Sequence, residues 1–161
     1  MDRKEHYKIA VVSDPLYKYG GAEKHLSYIL ETFPNSTLFT AYCRKEFVEK
    51  TFPDIGVKTS FMQYLPWKLK LKYPYQIFQP LAYRSLRFKG YDAIVSISMG
   101  FGKYANGNIP HINICISPPK FLWQKESRTL SSDKNLQGLN KLLFKIWSLL
   151  MDTSLKDLWR K

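Results

Sequence analysis

The sequence predicts an α/β domain built on a doubly wound, mostly parallel sheet, and three observations carry that reading. Lys8-Ile-Ala-Val-Val-Ser-Asp14 is a β-branched apolar run, Pro15 to Tyr19 with the pair Gly20-Gly21 reads as a tight loop, and Ala22 to Phe33 carries apolar residues at helical spacing. Strand, loop and helix in that order make the first unit of a parallel sheet, and the segments that follow keep alternating between the two types.

Length and composition bound the rest. A chain of 161 residues, 45% of them hydrophobic, is long enough to bury a core and too apolar to be disordered. Its 25 basic and 13 acidic residues leave a net charge of +12, which suits polyanions, anionic membrane or phosphorylated ligands without choosing among them. Cys43 and Cys115 lie far apart with no Cys-x-x-Cys or Cys/His cluster near either, so both read as buried thiols, not as zinc ligands or a disulfide framework. The charged start Met1 to Lys8 carries no signal-peptide apolar region, and no stretch approaches the roughly 20 apolar residues that span a bilayer. These features predict a cytoplasmic protein, with peripheral attachment to the inner membrane face left open.

In the first helix, Ala22, Leu26, Ile29, Leu30 and Phe33 fall on one face, and Pro34-Asn35 ends it. Free amide N–H groups and the helix dipole at its start suit a phosphate or a sugar hydroxyl, and glycine keeps Cβ atoms out of the way. The pair by itself is weak, since Gly20 and Gly21 also serve simply to turn the chain into a helix. Glu23 suits the helix start and Glu31 its end.

Thr37 to Tyr42 reads as the second strand, Arg44 to Phe52 as a short helix and Val57 to Ser60 as the third strand. From Phe61 to Gly90 no acidic residue occurs, while Lys68, Lys70, Lys72, Arg84, Arg87 and Lys89 alternate with Trp67, Tyr73, Tyr75, Phe78 and Tyr83. Pro66, Pro74 and Pro80 divide this stretch, which favours one short helix before Pro74 and another after Pro80. Trp67, Lys68, Lys70 and Lys72 suit an anionic membrane interface, and a solvated basic face is the alternative. Nucleic acid ranks below both because no recognised binding motif accompanies the charge.

Tyr91 to Ser98 reads as a buried strand that runs into Met99-Gly100-Phe101-Gly102-Lys103. His111 to Ser117 is the next, followed by Pro118 to Trp123. In open α/β sheets ligands bind outside the carboxyl ends of strands, so the glycine pair, Ser98 to Lys103 and Ser117 to Trp123 are predicted to converge on one edge. After a polar stretch from Glu126 to Asn135, Leu139, Leu142, Leu143, Ile146, Trp147, Leu150 and Met151 form an amphipathic stripe. No Ser-His-Asp or paired-carboxylate arrangement and no metal-ligand cluster can be defended, so no catalytic or metal residue is assigned. His25 reads as a helix-surface residue, His111 starts a strand remote from the ligand edge, and Asp14 suits a turn or the approach to the helix.

Several of these stretches together resemble one family. Gly20-Gly21-Ala22-Glu23-Lys24-His25-Leu26, Pro74 and Pro80 ahead of Gly90-Tyr91-Asp92-Ala-Ile-Val-Ser-Ile-Ser98, and His111-Ile-Asn-Ile-Cys-Ile-Ser-Pro118 with Trp123 are similar to the N-terminal domain of family 4 glycosyltransferases, over about Lys8 to Asp152. The resemblance implies one Rossmann-like half, residues 1–135, of a two-domain B-type enzyme, with 136–161 leading toward a donor-binding half. It implies retaining transfer from a nucleotide-sugar donor to a glycan or lipid-linked acceptor, with no metal or other cofactor. It also places Gly20, Gly21 and Ala22 near the donor phosphates, and Ser98, Met99, Ser117 and Lys120 at the acceptor.

Two departures stand out. Ile116 takes the place of a histidine common in relatives, and it cannot hydrogen-bond or exchange protons. Lys120 and Gln124 stand where arginine and aspartate are usual, so the bidentate fork is lost. On this reading the chain is inactive without its donor half, and a non-catalytic basic module that docks on anionic membrane or on a separately encoded donor-domain partner is the rival.

Overall fold

The computed structural model describes residues 7–66 and 78–116, of which 7–65 and 79–116 belong to one compact unit. Among the described residues the chain runs β1 (Ile9–Ser13), α1 (Gly21–Thr32), β2 (Thr37–Thr40), α2 (Lys45–Thr51), β3 (Val57–Thr59), α3 (Gln79–Ser85), β4 (Ala93–Ile97) and β5 (His111–Ile114). Short 3₁₀ turns occupy Phe61–Tyr64 and Gly102–Tyr104.

All pairings are parallel and the strand order is β3-β2-β1-β4-β5, a Rossmann-like α/β sheet. Each expected strand and helix in these ranges is present with edges within a few residues. α3 starts one residue before Pro80, which sits in the first turn where its missing N–H costs nothing. The turn ahead of β4 is made by Gly90, whose φ of +80° is disfavoured for any residue with a side chain.

Alternation along the strands sorts the core into two faces. Ile9, Val11, Leu38, Val95 and Ile97 pack with Leu26 and Leu30 of α1 and Val48 of α2. Each leucine buried this way contributes about 1.5–3 kcal/mol, which is what fixes α1 to the sheet. On the opposite face Phe39 meets Phe88 and Tyr91, with ring centres 4.8 and 5.4 Å apart. Tyr83 of α3 is fully buried there and donates its hydroxyl to the Ser13 carbonyl at 2.8 Å. A tyrosine with an internal acceptor buries its ring and hydroxyl together, so Tyr83 is set apart from the basic residues around it in sequence.

Candidate functional site at the strand-order reversal

Strand order reverses between β1 and β4, since β1 continues to β2 on one side while β4 lies on the other. Connections from the two strands therefore leave in opposite directions and open a crevice at their carboxyl ends. Two of the three predicted loops meet this definition: 14–20 after β1 and 98–103 after β4. Ser117, Lys120 and the loop to Trp123 lie outside the described residues, as do Trp67, Lys68, Lys70, Lys72, the segment before Pro74, and 136–161.

The floor of the crevice is a hydrogen-bonded knot. Ser98 Oγ donates to Asp14 Oδ1 at 2.6 Å and accepts from the amides of Gly100 (3.1 Å) and Gly102 (2.8 Å). Asp14 Oδ2 accepts from the Met99 amide at 2.9 Å. A hydroxyl has one proton and two lone pairs, so all three are used. Ser98 is buried and its hydroxyl shapes the loop, while the Met99 side chain is 47% exposed at the crevice. Gly102 closes over the knot, and a Cβ there would lie only 2.6 Å from Ser98 Cβ.

Asp14 departs from its expected role. It serves neither the turn nor the start of α1, but links the end of β1 to the end of β4, and its own carbonyl accepts from Thr40 Oγ1 at 3.1 Å. Burial pushes its carboxyl above the ordinary 3.8, the Ser98 and Met99 hydrogen bonds pull it down, and the nearby Glu23 charge adds to the rise. Local sequence could not reveal this pairing, although a serine followed by two spaced glycines, Ser98-Met-Gly-Phe-Gly102, does signal a tight loop.

On the α1 side, Gly20 is extended and exposed, and the first intrahelical bond runs from the Lys24 amide to the Gly20 carbonyl at 3.2 Å. The amides of Gly21, Ala22 and Glu23 precede that bond and have no helical acceptor. Gly21 is exposed with open space around its Cα, and Ala22 is half-buried. Glu23 folds back so that Oε2 would be 3.1 Å from a Cβ on Gly20. A carboxylate thus already sits at the positive end of the helix. Beneath it, Ser13 Oγ is buried at the end of β1 on the α1 face and has no hydrogen-bond partner.

Cys43 and Cys115 are both half-buried and in no disulfide, against the expectation of full burial. Each follows the end of a strand, where the sheet no longer covers it. Lys103 is half-buried in the β4 loop, and burial lowers its ammonium below the ordinary 10.5. Ile116 is 42% exposed. His25 lies on the exposed side of α1, and His111 opens β5 away from the crevice.

Among the described residues no group of three or more His, Cys, Asp or Glu side chains is placed to hold a metal, and no helix is long and apolar enough to cross a membrane. Comparison with known proteins adds no identification: no family model, no curated protein and no solved structure matches this chain.

Proposed function

We propose that this chain is the acceptor-side half of a retaining glycosyltransferase that moves a sugar from a nucleotide-sugar donor to a glycan or lipid-linked acceptor. The observation that carries the reading is the strand-order reversal between β1 and β4, with the glycine loop following β1 and the Ser98–Gly102 loop, tied to Asp14, following β4. The motif series from Gly20 to Trp123 supports the family.

In this proposal the backbone of Gly20, Gly21 and Ala22 approaches the donor diphosphate, with Glu23 swinging aside to admit it. Met99, Ser117 and Lys120 contact the acceptor, and Ser98 holds the β4 loop in shape. No metal is required, and no residue described here acts as nucleophile or base. Most of the donor belongs to a second domain in this family, so this half by itself binds its ligands weakly and does not turn over. The net charge of +12, with Trp67, Lys68, Lys70 and Lys72, supports attachment to an anionic inner membrane face. Sedimentation with vesicles with and without anionic lipid tests that attachment, and equal binding to both would contradict it.

Calorimetric titration of a nucleotide-sugar onto the chain and its Gly21→Trp variant tests the site. Gly21 is exposed and a Cβ there would have no neighbour within 4 Å, so a side chain can leave the backbone at this position without a clash. The expected result is roughly millimolar binding, about −4 kcal/mol, that disappears in the variant. Equal affinity in both proteins, or no binding by the parent chain, would overturn the assignment.

A further inference from the structure

The carboxyl edge of the sheet carries more than its two loops. Phe61 and Tyr64, the latter 89% exposed, lie on the 3₁₀ turn that follows β3, and exposed Met99 lies on the loop after β4. α3 packs against that turn and against the 3₁₀ turn Gly102–Tyr104, and its Leu81 is exposed as well. Segments from three parts of the chain thus bring uncovered apolar groups to one edge. At the opposite edge the turns 33–36, 52–56 and 86–92 expose no large apolar side chain, and Tyr7 ahead of β1 is the exposed ring there.

Apolar groups left in water forfeit the free energy of burial, and several on one edge mark a contact surface where single ones would not. The charges at that edge select the partner. The Arg84 guanidinium and Lys103 Nζ both stand over the Tyr104 ring, 5.4 and 5.9 Å from its centre, and no acidic residue occurs from Phe61 to Gly90. The stretch that holds Trp67, Lys68, Lys70 and Lys72 also departs from this edge, since it begins after the Phe61–Tyr64 turn and ends at α3. Rings and apolar chains among arginine and lysine suit the boundary of an anionic bilayer, where the rings enter the head-group region and the cations meet lipid phosphate.

We propose that the carboxyl edge around α3 is the surface that docks on an anionic membrane, with Phe61, Tyr64 and Leu81 at the lipid boundary and Arg84 and Lys103 at the phosphates. The inference rests on the membrane attachment proposed above and adds its orientation. The loops 14–20 and 98–103 leave the same edge, so docking turns the candidate site toward the lipid and the opposite edge, with Asp54 and Asp92, toward water.

Two readings of the full chain test the surface. In sedimentation with phosphatidylcholine vesicles containing phosphatidylglycerol, Tyr64→Ser combined with Leu81→Ser should weaken partitioning by about tenfold or more, and Arg84→Gln by about fivefold. Tyr28→Ser, at an exposed ring on α1, should leave it unchanged. All four side chains are exposed, so the variants keep the fold. With ¹⁵N-labelled chain on anionic bicelles that carry a gadolinium-chelating lipid, the backbone amides of Tyr64, Leu81 and Met99 should broaden while those of Asn35, Asp54 and Asp92 stay sharp. A parent chain that ignores anionic vesicles would overturn the attachment and this surface together. Parent binding that the Tyr64, Leu81 and Arg84 variants leave unchanged, or broadening at Asp54 and Asp92 in place of Tyr64 and Met99, would overturn the surface and leave the attachment standing.

Discussion

Asp14 and Ser98 are 84 residues apart in sequence, and their side chains meet at 2.6 Å to tie the end of β1 to the end of β4. This bond sits where the strand order reverses, so it holds the two loops of the crevice in one arrangement.

Asp14→Asn should weaken the fold although it changes a single atom. Asparagine offers one acceptor, so its NH₂ group must face either the Met99 amide, itself a donor, or Ser98 Oγ, whose two lone pairs already serve Gly100 and Gly102. The expected loss is about 1–3 kcal/mol, read as a lower urea midpoint.

The same pair predicts a pH dependence. Asp14 is raised in the folded chain above the ordinary 3.8, so the folded state holds this proton more tightly than the unfolded state does. Its contribution is fully present below 3.8 and declines as pH rises through the raised value. The stability difference between the parent chain and Asp14→Asn, measured across pH 3–8, should therefore be largest in acid and shrink toward neutrality. A difference that grows with pH would contradict the burial argument.

Two glycines should respond in opposite ways. A Cβ on Gly102 would stand 2.6 Å from Ser98 Cβ, so Gly102→Ala should cost about 1–3 kcal/mol by overpacking. Gly21 is the first residue of α1 with open space around it, so Gly21→Ala should be neutral or stabilise by about 0.5–1 kcal/mol. Thermal unfolding of the two variants checks both signs.

That contrast shows what the sequence could and could not reveal. Strands such as Ile9–Ser13 and Ala93–Ile97 announce themselves as short β-branched runs, and the Leu26/Leu30 spacing announces α1, because these signals depend on near neighbours. The parallel order followed from alternating strands and helices. Gly20-Gly21 was the pair the sequence singled out, as a ligand loop or a turn into the helix, yet Gly102 is the glycine with the tightest packing among the described residues, since its constraint comes from Ser98. Asp14 was misread for the same reason: its partner is 84 residues away. Half-burial of Cys43 and Cys115 depends on where each strand ends, which pattern alone leaves uncertain by a few residues.

Glu23 offers a test of the phosphate role. Its carboxylate lies against Gly20 at the start of α1, where an incoming diphosphate would meet like charge. Glu23→Gln should raise affinity for a nucleoside diphosphate about two- to five-fold, by about 0.3–1 kcal/mol of removed repulsion, and leave affinity for a neutral oligosaccharide unchanged. Calorimetry at low salt separates the two ligands.

The most direct measurement is a backbone amide map of the full chain titrated with a nucleotide-sugar and, separately, with a neutral oligosaccharide. Ligand binding at the β1/β4 crevice predicts that the amides of Gly21 and Ala22 shift with the nucleotide-sugar and those of Met99 and Gly100 with the oligosaccharide, each pair saturating with one affinity. If either ligand binds while these four amides stay still, or if neither ligand moves any amide, the crevice is not the site.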